Sequence, residues 1–179
     1  MKSSNIIFVS ALFLAAGNAF GQGAAPAAAG PTDPQIAHIV VTANAVDIDA
    51  GKLAETKGTH KDVKAFGKQM VTDHTGVNQQ AVALVTKLKV TPEDNPTSQS
   101  LKAGGADNLK NLHGLNGAAF DKAYIDHEVA YHVQVIEAID TTLVPNAKNE
   151  ELKALIIKVR PAFVAHLEHA KMIQASLKK

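Results

Sequence analysis

The sequence predicts an all-α protein built as an antiparallel four-helix bundle, and three observations carry that reading. From Asp33 onward apolar residues recur at the three- and four-residue spacing of a helix face over almost the whole chain. Helix breakers punctuate the pattern at Gly58, Pro92, Gly117 and Pro145. No stretch offers a competing strand pattern.

The elements follow in order. The start carries a single early charge at Lys2, an apolar run from Ile6 to Ala16, and small residues at Ala19 and Gly21. That pattern is a secretory signal peptide over residues 1–21, cleaved after Gly21; a retained N-terminal anchor is the competing reading. Residues 22–33, which include GAAPAAAGP, form a flexible tether, and residues 34–177 form the bundle. Asp33 caps the first helix and Pro34 takes its first position, with Ile36, Val40, Ala43, Asp47, Ala50 and Ala54 on one stripe as far as Lys57. Thr59 caps the second helix, with Asp62 approximating a capping box. Its stripe is Val63, Phe66, Met70, His74, Val77, Ala81, Leu84 and Leu88, and it ends before Pro92. Thr91 to Gly117 is a long connection between the second and third helices, with room for a short helix around Ser98 to Leu112. The third helix starts near Asn116, carries Ile125, Glu128, Val129, His132, Ile136 and Ile139, and stops before Pro145. The fourth starts near Asn146 or Asn149 and carries Leu152, Leu155, Ile156, Val159, Phe163, His166, Ala170, Ile173 and Leu177.

Composition narrows the function. At 179 residues and 46% hydrophobic content the chain fits one domain with a sizeable core. Without Lys2 the basic and acidic residues balance, so no basic face points to a nucleic-acid partner. Aromatic residues are 4% and Trp is absent, which argues against a base-stacking platform. With no Cys there is no lipoprotein anchor and no thiolate ligand, so any metal must be held by nitrogen and oxygen. No second apolar run of spanning length follows the leader, and the mature chain is expected in the periplasm or secreted.

Each apolar stripe is interrupted by a group able to bind metal: Asp47, His74, Glu128 with His132, and His166. If the first and third helices run up and the others down, these groups lie roughly 15, 21, 21, 15 and 27 Å from a common end. Buried imidazoles and carboxylates must be paired, hydrogen-bonded or metal-bound. Glu128 and His132, four apart, face the same way. Two readings stay open, a metal site of His and carboxylate ligands suited to zinc, iron, copper or manganese, and a hydrogen-bonded polar network that fixes helix register. Around the five, Asp73, Tyr124 and His169 are candidates for outer residues that hold a ligand in place. Tyr131 packs at the core margin, and Pro161 is expected to kink the fourth helix one turn before His166.

The strings DAGKLAETKGTHKDVKAFGKQMVTDH, GLNGAAFDKAYIDHEVAYH and ELKALIIKVRPAFVAHLEHA resemble the bacterial exported family catalogued as domain of unknown function 4142. The likeness runs from about Pro34 to Ser176 and implies a ferritin-like bundle exported from the cytoplasm. His74, His132 and His166 match the family's histidines, Asp47 stands where relatives usually carry Glu, and Glu128 lies in no shared motif. The two Glu-x-x-His motifs of ferritin-like di-iron sites are missing, since Tyr131 follows Glu128 by three and the fourth helix has none. Two functions are therefore expected in competition: a metal-binding bundle serving metal buffering or envelope stress, and a non-catalytic module that docks an envelope partner or a second copy. An enzyme ranks below both, because no nucleophile motif, phosphate loop or dinucleotide fingerprint is present.

Overall fold

A computed structural model of the chain describes residues 30–178. Among them every regular element is helical: α1 (Asp33–Lys57), α2 (Lys61–Leu88), α3 (Pro96–Gly114), α4 (Gly117–Ala138), a π-helical turn (Ile139–Leu143), α5 (Val144–Asn146) and α6 (Glu150–Ser176). No described helix is long and apolar enough to cross a membrane. The expected signal peptide and residues 22–29 of the tether lie outside the described residues.

Two helix caps fall one residue from their expected places. Thr32, not Asp33, precedes α1, and the Asp33 carboxylate accepts the backbone N–H groups of Lys148 at 2.8 Å and Asn149 at 3.0 Å. His60, not Thr59, caps α2 by accepting the Asp62 N–H at 3.3 Å. The Thr59 hydroxyl is taken instead by the Asp121 carboxylate, which also accepts the N–H groups of Thr59 at 2.9 Å and His60 at 2.8 Å. Both shifts have one cause: a partner distant in sequence engages the side chain that a local cap would have used. These carboxylates fasten α1 to the turn before α6, and the α1–α2 turn to the start of α4.

The expected long connection is mostly helix. Asn95 caps α3 by accepting the Ser98 N–H at 3.1 Å, Pro96 takes the first helical position, and the helix is 19 residues long. This helix carries the chain back along α1, where Gly105 lies so close to Val46 that a Cβ there would meet its side chain at 2.8 Å. The return corrects the expected direction. Contacts of Gly51 with Gly67 and of Asn44 with His74 make α1 and α2 antiparallel. Asp73 with His166 and Lys87 with Glu151 do the same for α2 and α6, and Gln174 with Asp126 and Arg160 with Asp140 for α4 and α6. So α4, packed against α6 and α1, runs in the same direction as α2 and opposite to α1. Measured from the end where Lys57 and Gly117 meet, the depths become about 15 Å for Asp47, 20 Å for His74, 17 Å for Glu128, 23 Å for His132 and 15 Å for His166. The corrected topology gathers these groups more tightly than the expected one.

Near Pro145 the helix does not simply stop. Pro145 has no N–H to give, and the turn before it widens so that the Val144 N–H reaches the Ile139 carbonyl. Pro161 sits on the exposed side of an unbroken α6, with Ile157 exposed beside it.

Two apolar clusters form the core. One, around Phe66, Met70, Phe120 and Ile125, fills the end near the α1–α2 turn, where Gly51 and Gly67 let the two backbones touch: a Cβ on Gly67 would meet the Gly51 carbonyl at 2.7 Å. The other, around Ile36, Ile39, Ile139, Leu143 and Ile156, fills the opposite end.

Candidate metal centre

Between those clusters lies a polar layer. Asp47 from α1, His74 from α2, Glu128 and His132 from α4 and His166 from α6 all point inward, each 3% exposed or less. The three imidazole rings form a near-equilateral triangle, with centroids 5.3, 5.5 and 5.8 Å apart. One ligand atom from each of His74, His132 and His166 lies within 4.8 Å of the others, and the same holds for Asp47, Glu128 and His132. All five residues expected from the stripes are therefore brought together.

Each ring is held by one nitrogen. His74 Nδ1 is 2.7 Å from Asn44 Oδ1, whose own amide nitrogen is committed to the Val40 carbonyl at 2.7 Å. His132 Nδ1 is 3.0 Å from the backbone carbonyl of Glu128, and His166 Nε2 is 2.9 Å from Asp73 Oδ2. All three partners accept only, so in each neutral ring this nitrogen carries the hydrogen. The other nitrogens, His74 Nε2, His132 Nε2 and His166 Nδ1, are buried with no hydrogen-bond partner, as are both oxygens of Asp47. Asp47 Oδ2 lies 3.0 Å from His74 Nε2, off the line a hydrogen bond needs, and 3.6 Å from His132 Nε2. What converges is a set of lone pairs with no donor among them.

Electrostatics agree with that picture. Burial, only partly offset by Asp47, brings His132 down to about 4. His166 is lowered too, by burial that Asp73 does not fully oppose. Both rings are uncharged at neutral pH, the form a metal needs. The two carboxyls part ways: burial and then the Asp47 charge push Glu128 well above the usual range. Burial would raise Asp47 as well, but the charge and proximity of His74, then His132 and Glu128, hold it below. The two carboxyls are thus shifted in opposite directions, Asp47 down and Glu128 up.

The expected outer residues divide. Asp73, with 42% of its side chain exposed, aims His166. Tyr124 is buried with its hydroxyl unpaired, and burial and then the charges of Glu128 and Asp47 raise it. His169 stands further out: its Nδ1 meets Gln69 Oε1 at 3.1 Å, its ring packs on Phe66, and Gln69 reaches Asp73 at 3.4 Å. Asn44 was not anticipated, although its place three residues before Asp47 and four after Val40 puts it on the same stripe. Phe163, a stripe residue read as plain core, packs its ring 5.0 Å from that of His74. A cleft of about 400 Å³ between α2 and α6, lined among others by Thr72, Asp73, Gly76, Gln80, Lys158 and Ala162, reaches His74 and His166 from outside.

The solved structure "CopM in the Cu(II)-bound form" superposes on this chain with a TM-score of 0.62 at 13% identity, covering 82% of this chain and 98% of CopM. That likeness bears out the all-helical fold. A comparison with curated proteins finds no match. Residues 18–173 match the family described as Domain of unknown function (DUF4142), and the chain belongs to that family.

Proposed function

We propose that the chain is an exported metal-binding bundle, ferritin-like and antiparallel in its packing, that holds a transition-metal ion on His74, His132, His166 and Asp47. The observation that carries this reading is that one ligand atom from each of His74, His132 and His166 lies within 4.8 Å of the others, with the Asp47 carboxylate close to His74 and His132 and all of these groups buried. Metal–nitrogen bonds of about 2.0–2.1 Å set neighbouring tetrahedral ligand atoms about 3.3–3.4 Å apart. The 3.0 and 3.6 Å distances from Asp47 Oδ2 bracket that spacing. The oriented outer nitrogens match the way ligating histidines are held elsewhere. Zinc, iron and copper all suit such donors, and copper comes first because the fold neighbour was solved with Cu(II). Four inward donors fill the coordination of a four-coordinate ion, which favours holding and buffering metal in the envelope over turnover. Glu128, whose carboxyl is pushed up by burial and then by the Asp47 charge, is the weakest candidate ligand of the five. The leader-like pattern of residues 1–21 supports a place in the periplasm or outside the cell.

The 3.0 Å approach of His74 to Asp47 favours a second reading, a buried ion pair that fixes helix register in a non-catalytic envelope module. Mass spectrometry of the mature chain, stripped by chelator and then given Cu(II) or Zn(II), separates the two. Binding of one ion per chain that is lost in His132→Ala supports the metal site. No retained ion, with the chain folded, supports the ion pair.

A further inference from the structure

On the far side of the polar layer from the α1–α2 turn lies a cavity of about 180 Å³ between α1, α4 and α6. Its walls include Ile39, Tyr131, Ile139, Leu143, Ile156 and Phe163, and no charged side chain lines it. Thr97 and Gln134, its exposed polar lining residues, mark a mouth between the start of α3 and α4. The cavity is partly open to solvent at this mouth, and its lining is almost wholly apolar. Water is a poor filler, because an ordered water needs two to four polar partners and the Tyr131 hydroxyl is already committed to the Ala43 carbonyl at 2.9 Å. An apolar cavity of about 150 Å³ takes up benzene.

The turn that Pro145 widens also shapes this cavity. The π-helical turn Ile139–Leu143 borders this cavity, and the wider turn puts both its ends, Ile139 and Leu143, on the wall. π-turns inside α-helices concentrate at functional sites.

We propose that this cavity is a binding site for a small uncharged apolar molecule, an aromatic ring or a short alkyl chain, entering between α3 and α4. The site does not depend on the metal reading. It does touch the polar layer, since Asn44 and Phe163 line the cavity and also contact His74.

The probe is benzene, added to the full mature chain and followed by methyl NMR. Saturable shifts concentrated at Ile39, Ile139, Leu143 and Ile156 support the site; shifts spread over the exposed Val82, Val133, Ile157 and Met172 overturn it. Binding of the neutral fluorophore N-phenyl-1-naphthylamine gives a second readout. Ala138→Phe, which fills the cavity, should weaken that binding at least tenfold, while Ala162→Phe in the α2–α6 cleft leaves it unchanged. Equal binding by folded wild type and Ala138→Phe overturns the proposal.

Discussion

The apolar layers and the polar layer of this core are buried to the same depth but held by opposite rules. Around Phe66 and Ile156 the buried side chains gain by leaving water, and the Tyr124 hydroxyl is the one polar atom of these clusters left unpaired. Around Asp47 and the three histidines burial is a cost, and the structure meets only half of it. The outward nitrogens have acceptors, while the inward nitrogens and the Asp47 oxygens have no donors. A layer built to stabilise the chain would satisfy both sides. This one is half-satisfied, and the unsatisfied half falls into two adjoining groups that share His132.

Substitution should separate the layers. The largest effect is expected in the apolar ones: Phe66→Ala should lower unfolding free energy by about 3–5 kcal/mol in a urea titration, equally with and without metal. Loss confined to the metal-bound form would mean that the two layers are not independent.

Next in size is pH. In the metal-free protein His132 lies at about 4 when folded and near 6.5 when unfolded. Between those values the unfolded chain binds a proton that the folded chain refuses, so stability rises with pH across the window. Above about 6.5 His132 contributes nothing further; acidification to about 4 should cost about 3 kcal/mol. His166 acts with the same sign. Glu128, raised by burial, has the opposite slope, so the measurement belongs in a Glu128→Gln background. Flat stability from pH 6.5 to 4 there would show that His132 is not buried neutral.

Smaller still are the orienting contacts. Asn44→Ala and Asp73→Leu remove the acceptors for His74 and His166, and each should weaken metal binding by about 10- to 100-fold, or about 1.4–2.7 kcal/mol. Competition against a chelator of known affinity reads this. Unchanged affinity in both variants would mean that the ring nitrogens are not held for a ligand.

The contrast between layers also explains what the sequence could show. Asp47, His74, Glu128, His132 and His166 were legible because each breaks an apolar stripe, and stripes are local. Their convergence was foreseen with α4 running the wrong way, because its direction depends on α3, which was expected as a short helix around Ser98 to Leu112 but without the length that carries the chain back along α1. The caps at Thr59 and Asp33 were displaced by Asp121 and by the turn at Lys148, partners 62 and 115 residues away. Asn44 stayed hidden for a related reason: its role depends on which nitrogen of His74 faces outward, and no spacing rule reports that.

The most direct test compares thermal unfolding of the wild type with a variant carrying leucine at positions 47, 74, 128, 132 and 166, each without metal and with saturating Cu(II). Replacing a buried polar cluster by apolar side chains is often neutral or stabilising, so the metal-free variant should melt at or above the wild type. Cu(II) at 100 times its dissociation constant should add about 2.7 kcal/mol to the wild type and nothing to the variant. A metal-free variant that melts well below the wild type, beside a wild type that ignores metal, would show instead that the polar layer is there to hold the helices together.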